Sequence, residues 1–228
     1  MFATATHRRR RTTLAPPNRR AAHPRTVPPR PGIGLNRSTA ARVPLASLQL
    51  CTDAGCELAI GPWPRFRYDA RAGGGPGRSD PSDADGWCPL LFEPAQLVIP
   101  PLNARTARIL GLPLPPGLAI VIRPLELAGR WRPADGAVDL AFDARFELRL
   151  AGRMVAPELT VTARLGSGPV EGRRQRAQGR PLDGEGRGVL VAVAEVPPTG
   201  ALWLDRFLGL PGEALAVLRC QLLPAEVP

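Results

Sequence analysis

The stretch VDLAFDARFELRL, residues 138–150, decides the fold of this protein. Its apolar residues alternate with polar or small ones, so that Phe142 and Phe146 share one face and Asp143 and Arg145 the other. Successive side chains of a β-strand point to opposite faces, so this period of two predicts a strand with one buried and one solvated face. Its thirteen residues make it long, since strands usually have about five or six.

A second alternating stretch comes just before the first. Leu125, Leu127, Gly129 and Trp131 alternate with charged or small residues, and residues 133–136 read PADG. Proline, aspartate and glycine are typical turn residues, and glycine can adopt a positive φ. The two stretches therefore predict a long antiparallel hairpin.

Further strands are predicted on both sides of this hairpin. The segments with alternating or continuous apolar residues are 45–51, 56–60, 65–69, 159–165 and 189–196. The polar segment 171–180 predicts an edge strand protected by charge, and residues 70–87, rich in Gly, Asp and Ser, predict a long loop. Residues 213–222 have a composition that favours helix, whereas their place in the repeat described next favours strand.

Two short helices are predicted from their capping signals. Asn103 precedes one and Gly111 follows it, and Thr199 and Gly209 bracket the other in the same way. The sequences around them are similar at an offset of about 97 residues, from a proline pair through a glycine stop to an apolar strand. This predicts two equivalent helices packed on one sheet, and it makes an internal duplication a hypothesis.

These patterns together predict an α+β fold. We expect a mainly antiparallel, twisted sheet of roughly eight to ten strands, barrel- or sandwich-like, with the two short helices packed on it. Residues 43–228 are predicted to form a single β-rich globular domain. A long curled hairpin with one apolar face, covered by helices, can enclose an apolar cavity.

The net charge of +10 is concentrated in residues 1–42, which contain ten arginines and no acidic residue. This segment is predicted to be a basic disordered arm, and three interpretations of it remain open. The three interpretations are a solvated tail, an arm that binds nucleic acid or anionic lipid, and a targeting peptide. The chain has no apolar run of membrane-spanning length and no apolar stretch typical of a signal peptide. We therefore predict a cytoplasmic protein, or one peripheral to a membrane.

Missing residue types exclude much familiar chemistry. The chain has no lysine, and its two histidines are His7 and His23 in the predicted arm. Residues 43–228 therefore cannot supply a Ser-His-Asp triad, a Schiff base or a P-loop. We predict no catalytic, cofactor-binding or metal-ligating residue and no cofactor. An enzyme that uses a carboxylate pair remains a third hypothesis after the two functions given below.

Two clusters of arginine are candidates for binding. Arg173, Arg174, Arg176, Arg180 and Arg187 could contact an anion, although nearby acidic residues make a solvated edge the alternative.

The second cluster is GPWPRFRY, residues 61–68. Interleaved aromatic residues and arginines can stack on bases. A half-buried strand has the same pattern, and we favour that interpretation.

The four cysteines leave two alternatives open. Cys51 and Cys56 flank four residues that predict a hairpin loop, which would bring them opposite each other as a candidate disulfide. The alternative is that these two, with Cys88 and Cys220, are reduced apolar residues of a cytoplasmic protein.

Residues Trp87–Pro124 together with Leu204–Leu223 resemble a conserved family of cyanobacterial proteins of unknown function. The resemblance covers about a third of the chain and includes no motif with a known activity. It implies a photosynthetic bacterial host.

The residues favour a non-enzymatic binding or assembly protein. Its partner would be an apolar, lipid-like ligand or a membrane-associated protein. The alternative is a protein that binds nucleic acid or an anionic surface through residues 1–42.

Overall fold

The structure, a computed structural model, describes residues 46–225 and is built almost entirely of antiparallel β-strands. The strands are β1 (Ala46–Thr52), β2 (Cys56–Ile60), β3 (Phe66–Tyr68), β4 (Gly74–Ser79), β5 (Cys88–Phe92), β6 (Leu102–Asn103), β7 (Ala107–Ile109), β8 (Leu112–Pro113), β9 (Leu118–Arg132), β10 (Ala137–Leu150), β11 (Arg153–Met154), β12 (Leu159–Gly166), β13 (Pro169–Glu171), β14 (Arg176–Gln178), β15 (Arg187–Val196) and β16 (Gly212–Pro224). A 3-10 helix spans Pro94–Gln96 and the α-helix α1 spans Leu202–Leu208. The predicted fold class, mainly antiparallel β with few helices, is confirmed. The predicted arm, residues 1–42, lies outside the described residues.

The long hairpin predicted from the alternating stretches is present as β9 and β10. The two strands pair along their whole length, from Ala137 opposite Arg132 to Leu150 opposite Leu118. One irregularity occurs beside Asp143, where β9 has one extra residue. This bulge turns Leu125 outward, so that its side chain is exposed although its alternation predicted a buried position.

Eight of the strands form a closed ring. Their order is β1, β4, β5, β9, β10, β12, β15 and β16, and β16 pairs back onto β1. Closure leaves no free edge in the ring and gives a barrel whose inward side chains form the core. One junction is weak, because β12 and β15 are joined by a single residue pair, Gly166 with Val191.

Strand β16 also carries a side extension. Its second half pairs with β1, whereas residues 214–217 pair with β2. Strands β3, β7 and β8 then continue outward from β2 in that order. The extension widens the sheet at one end of the ring, where β9 begins and β10 ends. We call this the open end, and the end with the β9–β10 turn the packed end.

The packed end is filled by a continuous apolar cluster. Its buried members are Leu48, Leu50, Leu90, Phe92, Leu127, Val138, Leu140, Leu165, Leu190, Ala192, Cys220 and Leu222. Phe92, only 1% exposed, is among the largest of them. An added Cβ on Gly77 would lie 2.5 Å from the Phe92 ring, so glycine is what allows β4 to pass over it.

The first predicted helix, after Asn103, is wrong. The Asn103 side chain accepts hydrogen bonds from the backbone N–H groups of Arg105 and Thr106, which makes a turn between β6 and β7. An asparagine that caps a helix and one that closes a turn use similar local bonds, so the sequence signal was ambiguous. Strand β7 then pairs with β3 instead of continuing as a helix. The two segments of the repeat therefore have different structures, and the predicted equivalence of two helices is also wrong.

The second predicted helix is confirmed as α1. It ends at Gly209, which has a φ of 67°. Its predicted cap is wrong in detail, because the residue before the helix is Ala201 and has no capping side-chain bond. Thr199 instead contributes through a contact with Asp205, described below.

Two polar segments also differ from prediction. Residues 74–79, predicted as part of a loop, form β4, because glycines there fit where neighbouring backbone and rings come close. The predicted edge strand 171–180 is a separate two-stranded hairpin of β13 and β14. The ambiguous segment 213–222 belongs to β16. Among residues 46–225, no helix combines the length and the apolar character needed to cross a membrane.

Candidate functional site: an apolar cavity

The open half of the ring is hollow and contains a cavity of about 520 Å³. Inward residues of β9, β10, β12, β15, β16 and β2 form its wall, among them Ile122, Phe142, Val161 and Leu215. The packed cluster forms its floor, since Leu140, Leu165 and Leu190 belong both to that cluster and to the cavity lining. An eight-stranded barrel is just wide enough either to be filled by side chains or to hold one small ligand.

No residue that lines this cavity carries a charge. Four of them have a side chain with a proton donor: Thr52, Cys56, Trp63 and Tyr68. Every other lining residue is aliphatic, phenylalanine, proline or glycine. The wall therefore presents an apolar surface to whatever occupies the cavity.

The four donors are bonded within the wall. The Thr52 hydroxyl donates to the carbonyl oxygen of Ala70 at 2.6 Å, and the Tyr68 hydroxyl donates to that of Pro100. The indole N–H of Trp63 donates to the carbonyl oxygen of Phe207 at 2.8 Å.

The remaining donor, the thiol of Cys56, lies 3.3 Å from the carbonyl oxygen of Asp53. A buried water needs about two to four polar partners. This wall offers few, so the cavity suits apolar contents.

The cavity reaches the surface at the open end. Pro115, Pro157 and Phe207 line it and are also exposed to solvent. Phe207 belongs to α1, and its ring lies 4.8 Å from that of Trp63, centroid to centroid. Helix α1 thus forms one side of the mouth, and its residue Leu204 is buried inside.

Asp205 fixes the start of α1. One of its carboxylate oxygens accepts bonds from the backbone N–H and the hydroxyl of Thr199, both at 2.7 Å, and the other accepts from the N–H of Gly200 at 3.2 Å. These bonds, chiefly those from Thr199, hold the pKa of Asp205 below its ordinary value. They fix the loop before the helix to the helix itself, and so they position Leu204 and Phe207 at the mouth.

The five arginines predicted as an anion site do not converge. Arg173 pairs with Glu195 near the open end of β15, and Arg187 pairs with Glu185 at the other end of that strand. Glu195 and Arg187 are eight positions apart along the strand, which corresponds to about 26 Å. Arg174, Arg176 and Arg180 are exposed between them. The set is a dispersed stripe, and its role as an anion contact stays a prediction.

The backbone of this arginine segment has a clear structural contact. The carboxylate of Glu213 accepts bonds from the backbone N–H groups of Arg173, Arg174 and Gln175, at 2.6, 2.8 and 3.2 Å. The N–H groups of Arg174 and Arg173 hold the pKa of Glu213 below its ordinary value. Glu213, which is buried, thereby fixes the tip of the β13–β14 hairpin against β16.

The predicted hairpin between Cys51 and Cys56 is wrong. Strands β1 and β2 run in the same direction along β16 and do not pair with each other, because residues 53–55 interrupt one continuous path. All four cysteines are free thiols in the structure. Burial raises the pKa of the Cys56 thiol and raises that of Cys220 to about 12, so neither is a thiolate nucleophile at neutral pH.

The aromatic segment 61–68 belongs to the wall, as the favoured interpretation predicted. Tyr68 is buried, and Trp63 and Phe66 are half-buried and line the cavity. Arg65 and Arg67 are exposed on the other face. The aromatic rings therefore serve the cavity rather than an outer stacking surface.

The described carboxylates do not gather into a metal site. Within residues 46–225, no group of three or more His, Cys, Asp or Glu side chains is placed to hold a metal ion. Several of the carboxylates instead pair with arginines, as Glu147 does with Arg123 and Arg149, and Asp139 with Arg164.

No family model, curated protein or solved structure matches the chain. The resemblance to a cyanobacterial family is therefore not tested by these comparisons and stays a prediction.

The cavity is the feature that the sequence predicted in least detail. The sequence suggested that a curled hairpin could enclose one, but not its size, its position or its mouth. The available signal was the low aromatic content of 5%, combined with inward alanines such as Ala163, Ala194 and Ala216. Small inward residues leave a barrel incompletely filled.

Proposed function

We propose that the protein is a non-enzymatic carrier of an apolar, lipid-like ligand, which it holds in the hollow half of its barrel. The observation that supports this most strongly is the cavity of about 520 Å³, with an uncharged wall whose polar protons are bonded internally. Pockets of about 300–1,000 Å³ are the usual size for small-molecule ligands. Since the wall offers few polar partners, the ligand is selected by shape and apolar surface.

The volume sets the size of the ligand. A cavity of about 150 Å³ lined by apolar side chains accommodates benzene, with its six carbons. By proportion, about 520 Å³ accommodates on the order of 20 carbon atoms. Each methylene moved from water into such a site contributes about 0.8 kcal/mol, against an association cost of about 4–15 kcal/mol. A single long hydrocarbon chain or a compact polycyclic lipid fits this size.

A blocking substitution tests the proposal. Ala163 on β12 faces the cavity beside Phe142, and Ala163→Phe would fill about 150 Å³, roughly a third of the space. The matched control is Ala141→Phe, one position before Phe142 on β10, where the side chain is exposed.

The assay is titration of the delipidated full chain with an environment-sensitive apolar fluorophore such as N-phenylnaphthylamine. We expect Ala163→Phe to weaken binding by about ten-fold or more and Ala141→Phe to leave it within two-fold of wild type. Equal binding by all three proteins, or none by wild type, would refute the carrier.

The ten arginines of residues 1–42 support a second proposal, that this segment binds nucleic acid or another anionic surface. Binding that depends on released counterions falls steeply as salt rises. The test compares the full chain with a chain lacking residues 1–42, using duplex DNA at two salt concentrations. Salt-independent binding, or binding retained after truncation, would contradict this proposal.

A further inference from the structure

The exposed apolar side chains of the described residues are concentrated at the open end. Eight of the eleven large apolar residues exposed within residues 46–225 lie in three segments there. These are the β7–β8 turn with Leu110 and Leu112, the β10–β11 turn, and α1 with its neighbours; the full set is Leu110, Leu112, Leu150, Met154, Val155, Leu202, Trp203 and Phe207. We call this set the apolar rim.

The three segments border the same opening. The β10–β11 turn lies beside the loop that enters β9, since the N–H of Ala151 donates to the carbonyl oxygen of Gly117. That loop includes Pro115, which lines the cavity, and α1 contributes Phe207 to the same lining. The β7–β8 turn is the outer tip of the extension that carries Ile109 into the wall. Each segment of the rim therefore adjoins residues that line the cavity.

One tip of the rim keeps an exposed apolar residue despite an unfavourable backbone. Leu110 and Gly111 form a two-residue hairpin loop with φ values of 52° and 85°. Loops with two positive φ values strongly favour Asn-Gly, and a side chain such as leucine is strained there. Leu110 is nonetheless 79% exposed, so water contact alone does not explain its presence. Residues held in such sparsely populated backbone conformations cluster at functional sites.

The charge beside the rim is positive. Arg108, Arg153 and Arg206 are exposed, each within two residues of a rim member, and form no ion pair with any described residue. The acidic residues nearby are engaged, because Asp205 is buried against Thr199 and Glu158 pairs with Arg145 at 3.8 Å. Apolar side chains flanked by free arginines are the chemistry of a surface that inserts into an anionic lipid interface.

We propose that the apolar rim docks on an anionic lipid bilayer, so that ligand passes between membrane and cavity without crossing water. This deepens the carrier function and rests on it. A lipid surface fits better than a protein partner, because the rim adjoins the lining of an apolar cavity and the free charges beside it are all of one sign. Arginines close to an anionic surface strengthen binding to it, and this attraction decays within a Debye length of the surface.

The test measures binding of the full chain to lipid vesicles by flotation. The vesicles contain phosphatidylcholine alone or with about a third phosphatidylglycerol, and the variant is Leu110→Ser with Leu112→Ser. The control is Leu91→Ser with Leu125→Ser, two leucines on the side of the barrel that are 50% and 43% exposed. We expect stronger binding to the anionic vesicles, a loss of about ten-fold or more for the rim variant, and less than two-fold change for the control.

A second variant and a second readout keep the outcome clear. Leu202→Ser with Trp203→Ser should weaken vesicle binding similarly, so the test does not depend on one turn. Both rim variants should still bind the apolar fluorophore, because the four substituted residues do not line the cavity. Vesicle binding unchanged in both rim variants would overturn the docking proposal, with any remaining attraction then due to residues 1–42.

The failures of the two proposals differ. Fluorophore binding with no rim effect on vesicles leaves the carrier and removes the docking surface. A rim effect on vesicles without fluorophore binding removes the carrier. A rim-dependent dimer in the absence of vesicles, measured by light scattering, would assign the rim to a second copy of the chain and overturn the membrane proposal.

Discussion

Replacing one phenylalanine in each half of the barrel tests whether one half is packed and the other hollow. Phe92 lies in the packed cluster and is 1% exposed. Truncating a phenylalanine at such a site removes its burial and leaves a cavity, and Phe→Ala typically costs about 3–5 kcal/mol. Phe142 is half-buried and already faces the cavity. Replacing Phe142 by alanine removes less buried surface and enlarges a cavity that already exists. We therefore expect Phe142→Ala to lower the free energy of unfolding by about 1.5–2 kcal/mol.

The assay is thermal and urea unfolding of delipidated full-length protein. For a body of this size each kcal/mol shifts the Tm by about 2–4 °C, which gives about 12 °C for Phe92→Ala and about 5 °C for Phe142→Ala. Ala141→Ser, at an exposed position of the same strand, serves as the surface control, with a change below about 0.5 kcal/mol. Equal losses for the two phenylalanines would mean that both halves are equally packed and would refute the hollow half.

Two further predictions concern titratable groups. The pKa of Glu213 is lowered in the folded state by the N–H groups of Arg174 and Arg173, so its contribution to stability is present above its ordinary pKa and lost as the pH falls through the folded value. The destabilisation by Glu213→Gln, measured by urea unfolding, should therefore be largest near pH 7 and shrink below about pH 4; a constant difference would contradict this. Cys51 is partly exposed, whereas Cys220 is buried and has a pKa of about 12. A maleimide should therefore label Cys51 much faster than Cys220 at pH 7, as measured by peptide mapping. Equal labelling rates would contradict the register of β16.

The sequence predicted the centre of the fold because there the local pattern and the tertiary environment agree. Residues 138–150 alternate along their whole length, and Val138, Leu140 and Ala144 are buried as expected. Leu148 faces the cavity, as its period requires. The outward Leu125 follows from a bulge that no local pattern specifies. The alternation also fails at Glu147, which is buried and paired with arginines, and at Leu150, which is exposed.

Errors arose where one local signal fits two structures. Asn103 has the same short-range bonds in a turn as at a helix start, and pairing of β7 with β3 decides between them. Residues 74–79 have low strand propensity, yet their glycines fit between β1 and β5. Propensity cannot foresee this fit, because the partners that come close are distant in the chain.

The sequence could predict that an apolar cavity exists but not where in the fold it lies. Its wall combines residues from β2 to β16 that meet only when β16 pairs with β1. Ring closure is a long-range property, and whether a barrel is filled depends on the summed volume of its inward side chains. The mouth depends on α1, whose position is fixed by Asp205 and by the Trp63–Phe207 contact.

Mass spectrometry of protein purified from its own host, without detergent, tests the central claim most directly. The account predicts that the native protein carries an apolar compound with on the order of 20 carbon atoms. The compound should be released by solvent extraction, retained by Ala141→Phe and depleted in Ala163→Phe. Equal amounts of bound compound in the two variants, or none in the wild-type protein, would contradict the claim that the hollow half of the barrel is a ligand site.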